Sequence, residues 1–300
     1  MKQKIAVLGA GTMGAGMAAT YALYGYPVSL YSRTEDTLHR AKETIQNALE
    51  TMVHEDMTDE KAAKQATERI VYTTELKNAV RDAWYIAETI AEKKSAKTEL
   101  YQTLDVMVPD NVIFASNTSY MNIFEFISES RQKDCVIAHW VAPPHIIPLV
   151  EVVRGPKTSE EVMNQTIELH ETCGKTPVRM ERYVPGFVLN RLQSAMTREV
   201  MYLIDGGLCT AEDIDKVVKT SLMPRGMLLG VVERMDFTGL QTVANGLKNG
   251  SYQPAPPVCE DSQIFRLVEE GNLGAKTGKG FYDYGGNNLT GVLEKRDRKR

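Results

Sequence analysis

Short runs of β-branched and aromatic residues alternate with longer stretches of helical periodicity from Lys4 to about residue 180, the pattern of βαβ units building a mainly parallel sheet. The runs fall at 5–8, 28–31, 70–73, 84–87, 112–115, 136–138, 149–153 and 177–180. Residues 35–69 are too many for a simple crossover; their apolar period and the break at 54–58 predict a helical hairpin projecting from the domain. After Tyr183-Val-Pro-Gly186 the strand signals stop. Helical patterns follow at 187–204, 211–219, 227–233, 238–247 and 262–270, punctuated by Asp205-Gly206-Gly207 and Gln253-Pro-Ala-Pro-Pro257. The chain therefore reads as an α/β domain, residues 1–184, followed by an all-helical domain, residues 185–300.

With 300 residues, 43% of them hydrophobic, a sizeable core forms without covalent staples. The net charge of −4 argues against a nucleic-acid partner, which needs clustered Lys and Arg on one face. The basic run Lys295-Arg-Asp-Arg-Lys-Arg300 reads as a solvated terminus. No apolar run nears the roughly 20 residues that span a bilayer, and the N-terminus enters a strand pattern at once; a cytoplasmic protein with no membrane partner is expected. Cys135, Cys173, Cys209 and Cys259 lie far apart and read as reduced structural thiols, and the five histidines show no His-x-x-x-His spacing, so no metal is expected.

Directly after the first strand run comes Gly9-Ala-Gly11-Thr12-Met13-Gly14, and a helical run follows it. Between strand and helix each part of this spacing has a physical reason. Gly9 allows the tight turn, Gly11 the close approach of backbone to a pyrophosphate and Gly14 the packing of the helix, while the helix N-terminus at Thr12 and Met13 offers free N–H groups. The first domain is thus expected to be a Rossmann-type dinucleotide-binding fold. An NAD-binding version ends its second strand with a carboxylate for the ribose 2′-hydroxyl, but Ser32 and Arg33 stand here. Ser32 can donate to a 2′-phosphate and Arg33 can pair with it, which favours NADP(H) over NAD(H). An Arg33 turned to solvent, or paired with Glu35, would leave the site indifferent between the two.

The ordered motifs resemble the 3-hydroxyacyl-CoA dehydrogenase family over nearly the whole chain. They are the glycine turn, Ile86-Ala-Glu88-Thr-Ile-Ala-Glu92 with Lys97, Phe114-Ala-Ser-Asn117-Thr-Ser119, His139 with Glu151 twelve residues on, Gly186-Phe-Val-Leu-Asn190-Arg191 and Lys276-Thr-Gly-Lys-Gly-Phe-Tyr-Asp-Tyr284. Oxidising a secondary alcohol requires a base for the hydroxyl proton while hydride leaves the same carbon; histidine suits this near neutral pH, and a carboxylate on its other nitrogen fixes the tautomer. His139 is expected to be that acid/base and Glu151 its orienting partner. The resemblance implies that Ser119 and Asn190 position substrate oxygens and that Asn117, Glu92 and Lys97 lie near the cofactor. It also implies a small-molecule substrate, a 3-hydroxy or 3-oxo acid or its CoA thioester, and a helical domain that closes the cleft and forms a homodimer.

One departure bears on the substrate. Acyl-CoA members usually follow the histidine with two aromatics and Asn-Pro, whereas this chain has Trp140-Val141-Ala142-Pro143. The next residues, Pro143-Pro-His-Ile-Ile-Pro-Leu-Val-Glu151, look closer to the branch containing λ-crystallin/L-gulonate 3-dehydrogenase, carnitine dehydrogenase and diketoreductase-like enzymes. Met223-Pro-Arg225-Gly-Met-Leu-Leu-Gly230 points the same way, and Arg225 could clamp a carboxylate or serve only as a salt bridge. The alternatives left open are an NAD-linked 3-hydroxybutyryl-CoA dehydrogenase and a catalytically idle dinucleotide-binding protein.

Overall fold

A computed structural model describes residues 2–250 and 253–285; the basic 295–300 run lies outside them. The chain divides into two compact units, Met1–Arg191 and Leu192–Arg300. In the first, eight strands form one sheet: β1 (Lys4–Leu8), β2 (Val28–Tyr31), β3 (Ile70–Thr73), β4 (Ala83–Glu88), β5 (Ile113–Ser116), β6 (Cys135–Trp140), β7 (Leu149–Arg154) and β8 (Thr176–Met180). Their order is β3-β2-β1-β4-β5-β6-β7-β8, and every pairing is parallel except β6 with β7. The order reverses between β1 and β4, which opens a crevice at the carboxyl ends of those strands, where doubly wound sheets bind ligands.

Strand alternation builds a core on both faces. Ile5 and Val7 of β1 enter one apolar cluster, and Ala6 and Leu8 enter the other. The first layer holds α1 (Thr12–Leu23), α2 (Glu35–His54), α3 (Glu60–Glu68) and, farther along, α6 (Glu160–Thr172); α4 (Leu76–Val80) and α5 (Lys94–Met107) cover the other face. Thr34 and Asp59 cap α2 and α3 through their side chains. The expected hairpin is present but does not project. Leu38, Ala41, Ile45 and Leu49 form a stripe on α2 that is buried with α1, because a helix carrying so continuous an apolar face gains more from packing than from solvent.

The second unit comprises the remainder of α7 (Leu189–Asp205), α8 (Ala211–Val217), a π-helical turn (Val218–Leu222), α9 (Met223–Thr238), α10 (Leu240–Lys248) and α11 (Gln263–Glu269). Gly230, at φ 69°, breaks α9. Asp205 receives the Gln263 amide, and Glu199 the Ala255 amide, so α7 organises the segments beside it. Of the four thiols, Cys135 and Cys173 are buried, whereas Cys209 and Cys259 are exposed. No helix among the described residues is long and apolar enough to cross a membrane.

His170, in the last turn of α6, is fully buried beside Tyr21, Tyr85 and Trp140. Its Nδ1–H donates to the Thr166 carbonyl at 2.6 Å, leaving Nε2 to accept from the Trp140 indole at 3.1 Å and the Tyr21 hydroxyl at 3.3 Å. Burial, only partly offset by the Thr166 carbonyl, pushes this imidazole down to about 4 from 6.5. Across that window the unfolded chain binds a proton that the folded chain refuses, so stability falls as pH drops through it. His170→Gln keeps a donor and an acceptor without titrating. It is expected to remove on the order of 3 kcal/mol of the acid-induced loss, read as a shallower pH slope in urea unfolding between about pH 7 and about pH 4; parallel slopes would contradict this.

Candidate active site

The dinucleotide turn follows from steric exclusion. Gly9 sits at φ +113°, and a Cβ there would lie 2.6 Å from the Thr89 carbonyl oxygen; a Cβ on Gly14 would overlap the Gly9 carbonyl. Gly11 has open space where its side chain would be. The N-terminus of α1, with Thr12 and Met13 in its first turn, has no side-chain cap and no acidic residue, so its amides are available to an anion. A cavity of about 630 Å³ continues from Gly9 and Gly11 past Ser32, Arg33 and Thr37 to Glu99 and Thr103. Its glycine floor and bare helix end fit a dinucleotide's phosphates. Ser32 is buried at its edge, and Arg33 is exposed with no ion pair to Glu35 among the described residues.

Beside the turn, the end of β4 carries a carboxylate to which the sequence motifs alone assign no role. Glu88 Oε1 accepts from Lys97 Nζ at 2.6 Å and the Ile90 amide at 2.8 Å; Oε2 accepts from the Tyr101 hydroxyl at 2.8 Å and the Ser116 hydroxyl at 2.6 Å. Burial, reinforced by the charge of Glu88, raises Tyr101 well above its ordinary range and keeps it a donor. Lys97 is wholly buried, with Glu92 Oε2 at 3.3 Å, and so acts on its surroundings through two carboxylates. Glu92 in turn accepts from the Thr118 hydroxyl and, at 2.8 Å, from the Ser119 amide. Asn117 donates its amide to the Glu88 carbonyl at 2.7 Å and accepts the Trp140 amide at 2.7 Å, which ties β4, β5 and β6 together at their ends. A signal for Glu88 does exist in the chain: a charged residue ending an otherwise apolar strand.

His139 and Glu151 are directly opposed across the antiparallel pair β6/β7. That register places their side chains on one face, and His139 Nδ1 lies 2.8 Å from Glu151 Oε2. Glu151 Oε1 accepts the amides of Val188 at 2.8 Å and Leu189 at 2.9 Å. Burial alone would raise the Glu151 carboxyl, but the hydrogen bonds from His139 and from those amides outweigh it and hold the group below the usual carboxylate range. An ionised Glu151 makes Nδ1 the protonated nitrogen and frees Nε2 for exchange. Phe187, buried and at φ 50°, turns the chain so that the next two amides meet the carboxylate, and its ring lies 5.3 Å from the imidazole.

Asn190 Nδ2 donates to the Ser119 carbonyl at 3.2 Å, so these two expected residues meet in the first unit. Arg225 is exposed in the second unit, its Nε on the Ser221 carbonyl one turn back. Among the described residues no group of three or more His, Cys, Asp or Glu is placed to hold a metal ion.

Sequence profiles described as the NAD binding domain and the C-terminal domain of 3-hydroxyacyl-CoA dehydrogenase match residues 4–183 and 186–284. A probable 3-hydroxybutyryl-CoA dehydrogenase of Bacillus subtilis is 34% identical over 290 residues, 94% of this chain and 97% of that protein. The 5-formyl-3-hydroxy-2-methylpyridine 4-carboxylate 5-dehydrogenase of Mesorhizobium japonicum is 30% identical, spanning 100% of this chain and 96% of that one. The crystal structure of a 5-dehydrogenase for that pyridine acid, described as an NAD+ dependent dismutase, superimposes with a TM-score of 0.86 at 29% identity over 100% of this chain and 96% of its own. Matched by the two profiles in succession over residues 4–183 and 186–284, the chain belongs to the 3-hydroxyacyl-CoA dehydrogenase family of nicotinamide-dependent oxidoreductases.

Proposed function

We propose that the protein transfers hydride reversibly between a nicotinamide dinucleotide and the 3-position of a 3-hydroxy acid or its CoA thioester, with His139 as acid/base. The observation that carries this reading is the His139–Glu151 pair: a carboxylate with both oxygens engaged holds one imidazole nitrogen and leaves the other to the substrate. When bound, the nicotinamide supplies the hydride acceptor or donor. In the oxidising direction His139 Nε2 takes the hydroxyl proton of the substrate; in the reducing direction it returns that proton to the forming alkoxide. Glu151 stabilises the imidazolium in both, while Ser119 and Asn190 position the substrate oxygens. Gly9, Gly11 and the α1 amides would hold the pyrophosphate; Glu92 and Asn117 shape the segment beside it, and Lys97 supports Glu92.

Ala142 and a relative named for a pyridine carboxylate favour a small substrate free of CoA. Ser32 and Arg33 on the cavity wall support NADP(H) over NAD(H). The helical unit supports a homodimer: past Arg191 the buried apolar residues among those described are Met201 and Ala255, whereas Met227 (86% exposed), Leu228 (83%), Val232 (76%) and Phe237 (74%) on α9 face outward. Helices with so little core of their own stabilise by covering that surface with a second copy.

Initial rates for acetoacetyl-CoA, free 3-hydroxy acids, carnitine and gulonate, each with both nicotinamides, test the substrate class; turnover confined to acetoacetyl-CoA with NADH would favour an ordinary 3-hydroxybutyryl-CoA dehydrogenase. His139→Gln is expected to lower turnover roughly 10²- to 10⁴-fold with dinucleotide affinity held within about twofold, and an unchanged rate would remove the assignment. Arg33→Ala is expected to lower kcat/KM for NADPH roughly 10- to 150-fold and to leave NADH nearly untouched. Sedimentation equilibrium is expected to give a dimer, converted to monomer by joint Leu228→Asp and Val232→Asp changes; a wild-type monomer would refute the assembly.

A further inference from the structure

The connection between β6 and β7, residues 141–148, begins immediately after His139-Trp140, and three of its eight residues are prolines with no amide to donate. Within it the Ile146 and Ile147 amides both reach back to the Pro143 carbonyl, at 3.0 and 2.9 Å. Ala142, exposed at the second position of this stretch, contributes no polar side chain. What organises the segment comes from beneath it. Lys175, 8% exposed, lies between α6 and β8 and sends its ammonium to the Pro144 carbonyl at 2.5 Å and the Ile147 carbonyl at 3.0 Å. The same nitrogen sits 4.7 Å over the Trp140 ring, and the next residue, Thr176, donates its amide to the Pro148 carbonyl at 2.8 Å.

No carboxylate pairs with this ammonium among the described residues. An apolar side chain would fill the space without desolvating a charge, so the cation is set against its two inward-turned carbonyls. Removing it would leave both oxygens without that donor in the interior. Burial pushes Lys175 down to about 8, so it is still mostly cationic near neutral pH. The pinned segment also meets the dinucleotide helix: a Cβ on Gly16 of α1 would lie 2.5 Å from Pro144 Cγ, so Pro144 is seated against α1 on one side while Trp140 continues from His139 on the other.

We propose that Lys175 is a positioning residue for the reaction: by holding the Pro144 and Ile147 carbonyls it fixes the 141–148 wall between the dinucleotide helix and His139. In this chain Lys175 holds that segment through its backbone carbonyls. The proposal rests on the reading of His139 as the proton carrier.

Lys175→Met keeps the stem and removes the donors. In the full-length enzyme it is expected to lower kcat roughly 10- to 100-fold, since displacement on the order of 1 Å near the reacting groups has that effect, with NADPH and NADH affinities held within about twofold. Hydrogen exchange at the Ile146 and Ile147 amides is expected to accelerate at least about tenfold, with the β1 and β4 amides unchanged. Lys175→Gln, which retains N–H donors, is expected to recover part of the loss. A folded Lys175→Met enzyme with wild-type kcat, or one whose dinucleotide affinity falls as far as its rate, would overturn the proposal. Should that variant fail to fold, the wild type still decides: the Ile146 and Ile147 amides must exchange at least about 10²-fold more slowly than an unstructured chain, and free exchange there refutes the pinning. Full activity in His139→Gln would remove the proton-transfer reading while leaving the exchange result intact; an inactive His139→Gln beside a normal Lys175→Met would remove only the role of Lys175.

Discussion

A carboxylate buried at the end of a β-strand must have its oxygens filled, and that constraint at Glu88 organises the crevice. Four donors converge on it from the loop after β4, from two positions on α5 and from the end of β5. Taking away one partner of such a buried ionic cluster costs about 3 to 5 kcal/mol, so these elements are held in a single mutual arrangement. The glycine turn leans on it directly, because Thr89, the residue after Glu88, donates its amide to Leu8 and presents the carbonyl that leaves no room for a side chain at Gly9. The 117–119 segment leans on it from the other side through the Asn117 amide.

The same rule governs the second carboxylate. Glu151 lies in a strand that runs against its neighbour, and only an antiparallel pair sets it opposite His139 with a connection as short as 141–148. Its remaining oxygen is filled by the amides of Val188 and Leu189, where α7 begins, delivered by the left-handed turn at Phe187. The dyad therefore forms only where sheet register, a non-glycine residue at positive φ and the start of a helix coincide.

All eight strands are legible as β-branched runs between turn residues, with boundaries differing by a residue or two, and the glycine turn and the His139/Glu151 offset are legible as motifs. What the hairpin packs against is not, since the stripe on α2 states that a face is apolar without naming its partner. Lys175 and His170 are hidden in the sequence for a related reason. There they are single polar residues at a helix end, where solvent exposure is the ordinary outcome, and their burial arises only when α6 lies down on the sheet. The role of Lys97 is blurred likewise, since the Glu88 oxygen it meets first belongs to another element.

A last consequence follows from the full occupancy of Glu151. With one oxygen on the imidazole and the other on two amides, no further titratable group among the described residues is bonded to Glu151 to carry charge onward. On the proposed reading the site is a cul-de-sac rather than a wire: a proton taken up at Nε2 departs by the same door, and each turnover has to reopen that nitrogen to water or to the next reactant.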